Sequence, residues 1–319
     1  MKQKIFSKKW FQPALIAVIV IIVCVVFDIF FEGRFLAPSN LVILASHAII
    51  PTFIAWGMCF VFACDYTDMS IGSITVLSAN MAGLLGLKFG LPGIIIGGVL
   101  TGMLLMTLNF LVFVYTKIPS WIAGIGMAMI YESLAVFFSN SRTAAGQALP
   151  QLPVELRTLG RPPYIYIVFA IGFVIAYLVY NRSEAGLNIR ALGNGIKLSE
   201  SMGIKTAKTI ITVGVICGFF VGCSSFLNES YTARVSVKTG LTSLAMIFQP
   251  MAGYMLASVL RDKINIIIGI PLCSLLVNTI FNMLTFLGVP SGTWQEAVLG
   301  AIVIIFGILA QRGEKKVVK

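Results

Sequence analysis

Apolar runs long enough to cross a lipid bilayer recur along this chain, and they restrict its fold more than any other feature. A spanning helix needs roughly 20 predominantly apolar residues. Ten segments stand out: Phe11–Phe31, Leu41–Ala63, Ser70–Leu87, Leu91–Tyr115, Pro119–Phe138, Tyr164–Tyr180, Thr209–Leu227, Leu241–Leu260, Ile264–Leu287 and Gln295–Ala310. Only 11% of the residues are charged and 58% are hydrophobic, whereas a soluble domain carries about a quarter charged residues. Too little polar surface exists to coat a water-soluble body. The expectation is an all-α integral membrane protein of about ten transmembrane helices, forming one membrane domain over residues 1–319. The third segment is rich in Ser, Gly and Asn and is a candidate for a broken or re-entrant span. Irregular backbone survives at that depth only where protein or a water-filled path surrounds it.

Orientation follows from the basic residues. With the N-terminus inside and the segments alternating, Arg34, Lys88, Arg142, Arg157, Arg161, Arg234 and Lys238 fall outside, and the rest of the 23 lysines and arginines fall inside. That bias predicts a plasma-membrane protein with both termini cytoplasmic. It also accounts for the net charge of +11 without a concentrated basic face, so nucleic acid is not an expected partner. Lys2–Lys9 followed by an apolar run resembles a secretory signal, but no small-residue cleavage site follows. Asp28, Glu32 and Arg34 come next, so the run reads as an uncleaved first helix.

Chemistry of the enzymatic kind is missing. The chain carries no phosphate-binding G-x-x-x-x-G-K-[ST], and Gly193-Asn194-Gly195-Ile196-Lys197 has the wrong spacing to wrap a phosphate. A single histidine, His47, excludes a multi-histidine zinc site. No G-x-S-x-G or H-E-x-x-H occurs. The six cysteines lie mostly inside apolar runs and suit a packing role. The expectation is therefore no catalytic residue, no metal and no cofactor, with energy supplied by a partner or an ion gradient.

Polar groups inside spans are expensive and are functional candidates by default. Glu132 lies two-thirds along the fifth segment and suits either a hydrated path or a polar partner. Asp28 and His47 suit interfacial placement and a structural hydrogen bond. Asn80, Asn109, Asn278 and Asn282 sit in apolar surroundings. Their amides suit either hydrogen bonds between helices or contact with a hydroxyl-rich solute. Glycines at helical spacing (Gly93, Gly97, Gly98, Gly214 and Gly218 among them) allow helices to pack closely.

Two connections are long. Ser139–Pro163 falls outside and Asn181–Lys208 inside. In the latter, Asn194 is placed to cap a short helix from Gly195 to Met202, and Gly203 to end it in a left-handed conformation. Leu198 and Met202, four residues apart, share a face. The result is a partly apolar knob suited to a groove on another protein or to the membrane surface.

Four stretches resemble the ribose/galactose/xylose-type permeases of bacterial ABC sugar importers. Asp65-Tyr66-Thr67-Asp68-Met69-Ser70-Ile71-Gly72-Ser73 is similar to that family's G-G-I-D-L-S-V-G-S, matching at Asp68, Ser70, Gly72 and Ser73. Asn109–Ile125 is similar to N-G-L-L-V…I-P-P-F-I-A-T-L, matching at Asn109, Ile118, Pro119, Ile122 and Ala123. Gly186–Ile204 resembles the family's inner loop at Ala191, Gly193, Ser201, Gly203 and Ile204, and Gly288–Ala310 its last connection and span. The chain departs from the family after the seventh span, where Gln249-Pro250 and Arg261-Asp262-Lys263 stand in place of glycine pairs.

The resemblance implies a permease subunit importing a sugar or sugar-like solute, driven by cytoplasmic ATP-binding subunits and fed by an extracytoplasmic solute-binding protein. A second permease copy or a paralogous permease would complete the membrane core. Residues 181–208 would form the coupling loop, with Arg190, Asn194, Leu198, Glu200, Met202 and Gly203 meeting the ATPase. Asp68, Ser70, Asn80, Asn109, Glu132, Asn278 and Asn282 would line the substrate pathway. Ser139–Pro163 and Asn228–Gly240 would receive the binding protein. The rival reading is a secondary transporter that works alone.

Overall fold

The computed structural model describes residues 11–144, 151–235, 240–289, 292 and 294–313. The Lys2–Lys9 stretch, residues 145–150 of the first long connection, Lys238 and the basic tail from residue 314 lie outside the described residues. The elements are helical, with no strand among the described residues: α1 (Phe11–Phe30), α2 (Pro38–Ala63), α3 (Ile71–Thr116), α4 (Ser120–Ala144), α5 (Tyr164–Arg182), α6 (Glu184–Gly193), α7 (Ile196–Ser201), α8 (Thr206–Thr232), α9 (Phe248–Val259), α10 (Ile266–Phe286) and α11 (Trp294–Gly313), with 3₁₀ turns at Val154–Arg157 and Thr242–Ile247. Six of these, α2, α3, α4, α5, α8 and α10, are long and apolar enough to cross a membrane.

Two compact units emerge. One is Ile49–Met251; the other joins Met1–Ala48 to Ala252–Lys319. Within the first unit α3 is the organising element. Its 46 residues would reach ~69 Å as a straight helix, more than twice the thickness of the ~30 Å hydrocarbon layer. Gly90 interrupts it with φ 70° and ψ −152°, and Pro92 follows. The chain reverses there. A Cβ on Gly93 would sit 2.2 Å from the Leu85 carbonyl oxygen, and one on Gly97 would sit 2.8 Å from that of Met81, so the two arms run antiparallel in backbone contact. The third expected segment is helical from Ile71 onward, and the break falls at Gly90, at its end.

The second arm of α3 packs on α8 through glycines spaced four apart on both helices. A Cβ on Gly102 would lie 2.7 Å from the Gly218 carbonyl oxygen, and one on Gly222 would lie 2.7 Å from that of Gly98. Backbone meets backbone at these crossings, and any side chain would force the helices apart. Around them an aromatic cluster fills the core. Phe53, Trp56, Phe60 and Phe220 are fully buried. Trp56 stacks on Phe169 with centroids 5.5 Å apart, and Phe60 stacks on Phe220 at 5.9 Å.

The second unit is tied by amides. Asn40 and Asn282 exchange hydrogen bonds of 3.0 and 3.2 Å, and the Asn278 amide donates to the Leu44 carbonyl at 2.8 Å. Both pairs are four residues apart, so they zip α10 against the start of α2. Phe27, Phe31, Phe35 and Phe286 form a ring cluster beside them. Asp28 accepts the Leu36 backbone N–H at 2.7 Å and closes the turn after α1.

One expected element differs. Leu241–Leu260 is not a single helix. Leu241 is left-handed at φ 60°, a 3₁₀ turn follows, and α9 has only 12 residues. Pro250 sits in the first turn of α9, where its missing N–H costs no intrahelical bond.

Replacing Gly102 or Gly222 by Leu is expected to lower stability by about 1–3 kcal/mol or more through overpacking, while Gly126→Ala, with nothing within 4 Å of the added carbon, is expected to be nearly silent. Thermal unfolding midpoints in mild detergent check this.

Candidate functional site

The stretch after α5 folds into two short helices rather than one. Ser183 caps α6 by accepting the Gly186 N–H at 3.0 Å. Ile189 and Leu192 are buried, and a Cβ on Gly193 would lie 2.1 Å from the Ala63 carbonyl oxygen, so α6 is seated on the end of α2. The Arg190 guanidinium lies over the Tyr180 ring, 4.9 Å from its centroid. Asn194 does not cap the following helix. It ends α6, and its amide donates back to the Arg190 carbonyl at 3.3 Å, because Gly195 at φ 137° takes the N-cap position of α7. Gly203 does close α7 in the left-handed region at φ 81°, with its N–H bonded to the Glu200 carbonyl and the Ile204 N–H to that of Ser199. This is the double bond pattern of a Schellman motif. Glu200 accepts the Thr206 hydroxyl at 3.0 Å, tying α7 to α8. Leu187, Ile196, Leu198 and Met202 are left 61, 48, 56 and 60% exposed. Of these, Met202 borders a groove of about 560 Å³, lined also by Glu184, Asn188, Lys205, Lys208 and Thr212 among others.

Three carboxylates are buried in the first unit: Asp68, Glu132 and Glu229. Each is held by N–H or O–H donors, and the ion pair found among the described residues, Arg34 with Glu32, involves none of them. Asp68 accepts the Ser70 N–H at 2.8 Å and the Asn109 amide at 2.7 Å, and the same amide donates to the Ser70 hydroxyl at 2.6 Å. This triad pins the start of α3 to its second arm. Glu132 accepts the N–H groups of Thr242 and Ser243 at 3.2 and 3.0 Å, and the Ser243 hydroxyl. Glu229 accepts the Val235 N–H at 2.7 Å, in space left by Gly83. Near Glu229 the two connections 151–163 and 228–235 meet. Leu152 donates to the Ala233 carbonyl, and the Ser230 hydroxyl joins the Gly160 N–H to the Leu156 carbonyl, all at 3.0 Å.

Residues 40–307 match the family described as the permease component of the branched-chain amino acid transport system. The chain belongs to this permease family. It is similar to the autoinducer 2 import system permease protein LsrC of Escherichia coli O9:H4 (strain HS), 24% identical over 296 residues that cover 90% of this chain and 84% of the relative. The same protein of Shigella flexneri gives the same figures. That of Salmonella choleraesuis (strain SC-B67) is 21% identical over 305 residues, covering 93 and 84%. No solved structure matches.

The permease is thus a membrane subunit of an ABC-type importer and not an enzyme. Of the residues expected along its pathway, Asp68, Ser70 and Asn109 come together, Glu132 holds a separate segment, Asn80 is half-buried on α3, and Asn278 and Asn282 bond between α2 and α10. Of those expected at the coupling loop, Leu198 and Met202 present exposed apolar surface, Arg190 lies over Tyr180, and the exposed Asn194, Glu200 and Gly203 make the bonds that end α6 and α7 and tie α7 to α8. Sequence reasoning missed Glu229, assigned to an exposed connection, and the exposed Leu187 and Ile196. The Ser183 cap three residues ahead of Gly186 was the available signal for α6.

Asn109→Leu leaves Asp68 and Ser70 short of a donor and is expected to destabilise the permease by about 1–3 kcal/mol. Asp68→Asn is expected to be non-additive with it in a double-mutant cycle of thermal unfolding.

Proposed function

We propose that this permease imports a sugar or sugar-like solute across the bacterial inner membrane, crossing it about ten times with both termini in the cytoplasm and acting as one membrane domain. Support for the solute class comes from the similarity to autoinducer 2 import permeases and from the sugar-permease motifs around Asp68, Asn109 and the inner loop. The family as a whole is described by transport of branched-chain amino acids. Those solutes are apolar in the side chain, and the polar cluster of Asp68, Ser70 and Asn109 suits hydroxyl-rich cargo better.

The observation that carries the coupling role is the exposed apolar surface of α6 and α7. Leu187, Ile196, Leu198 and Met202 are presented by helices of ten and six residues, too short to span a bilayer. Exposed apolar anchors on a rigidly seated knob suit insertion into a groove of a partner. The partner is a cytoplasmic ATP-binding subunit, and Arg190, Asn194, Glu200 and Gly203 keep the knob in shape for it. At the opposite face, the joined connections 151–163 and 228–235 receive an extracytoplasmic solute-binding protein. A second permease, identical or paralogous, completes the core within the lipid.

A pull-down of tagged protein in mild detergent tests this. The expected result is co-purification of a P-loop ATPase, lost when Leu198 and Met202 are both changed to Asp while the spans stay folded. Recovery of the chain alone, moving solute in liposomes without ATP, would favour a stand-alone secondary transporter.

A further inference from the structure

Residues 240–247, just ahead of α9, are held in a backbone that would not persist unaided. Gly240 and Leu241 have φ of 105° and 60°, and Leu241 is a bulky residue in the left-handed region. Thr242–Ile247 then runs as six residues of 3₁₀ structure, where runs beyond about three or four are uncommon. Such geometry lasts only when its surroundings over-determine it, and it concentrates at switch regions.

Two contacts supply that constraint. On one side Glu132 of α4 receives the first N–H groups of the segment on both carboxylate oxygens, together with the Ser243 hydroxyl. On the other side Gly72 of α3 lets the segment approach: a Cβ there would lie 2.0 Å from the Ser243 carbonyl oxygen and 3.4 Å from Ile247. Ile247 is fully buried behind this contact. Glu132 is itself buried and takes part in no ion pair among the described residues. The segment's placement thus depends on Glu132, 110 residues away, together with the close seat at Gly72.

We infer that Glu132 is the positioning residue of a movable segment: its carboxylate latches Thr242–Ile247 against Gly72 in one transport state and releases it in another. While latched, the acceptors of Glu132 are occupied by this segment and not offered to solute. Release exchanges these bonds for water or for a second set of donors and withdraws Ile247 from the bundle. This inference rests on the ABC-importer reading, since nucleotide turnover in the partner subunits is what drives the exchange.

The test uses the full importer in liposomes with Ile247→Cys as reporter, N-ethylmaleimide as probe, and peptide mass spectrometry to read the labelled position. The expected result is slow labelling without nucleotide, and labelling about tenfold faster or more after trapping with ATP and orthovanadate, as loss of a charged hydrogen bond implies. In Glu132→Gln, which keeps the size but sets an amide donor against an N–H, labelling is expected to be fast in both conditions. Ala245→Cys gives a second reporter if Ile247→Cys perturbs folding. Equal labelling with and without trapping, with ATP hydrolysis intact, would overturn the proposal and leave Glu132 a static brace. Equal labelling of Glu132→Gln and its parent would also overturn it. If no ATPase assembles with the permease, the importer reading has failed instead. The nucleotide-free comparison of Glu132→Gln with its parent still decides the latch.

Discussion

Backbone-to-backbone contact at glycine holds the larger unit of this permease together. Lipid offers little hydrophobic drive for one apolar helix to prefer another, so close packing must carry association. Gly93 and Gly97 bring the two arms of α3 together, and Gly98, Gly102, Gly218 and Gly222 bring α3 against α8. At each crossing the space a side chain would need is filled by a carbonyl or a Cα of the opposing helix. The aromatic cluster of Trp56, Phe60 and Phe220 and the seat of the 3₁₀ segment are built around these helices, and α6 is seated on α2.

Burying carboxylates against N–H and O–H donors, outside any ion pair among the described residues, is the second organising choice. A buried acid is costly unless its oxygens find donors. Asp68, Glu132 and Glu229 each find theirs at a chain reversal: the start of α3, the start of the 3₁₀ turn and the end of α8. Each therefore anchors a connection. Each carboxylate so placed fixes the segment that donates to it.

The six helices long and apolar enough to cross a membrane were legible because apolar run length is a strong signal, and the end of α7 was legible because Gly203 marks it. What sequence left open was set by tertiary contact. The reversal at Gly90 was legible as the short connection between the third and fourth expected segments, whose alternation already makes them antiparallel; the close backbone contact between the arms was not. Asn194 looked like an N-cap because residue type favours it, but α6 absorbed it and Gly195 took the position. Leu241–Leu260 read as one helix because its hydropathy is continuous. The left-handed Leu241 and the pull of Glu132 divide it. Glu132 was visible as an expensive buried acid, but its partner lies 110 residues away and carries no local mark.

A tightly packed bundle with a rigid apolar knob at one face fits a subunit whose movement is imposed from outside. The knob is seated by Gly193, Ile189 and Leu192, and Leu187, Ile196, Leu198 and Met202 are left exposed on it. The most direct measurement is photo-crosslinking in intact cells with a benzophenone amino acid at position 198. The account predicts an adduct containing a cytoplasmic P-loop ATPase. Adducts to lipid alone, or to no protein, would contradict it.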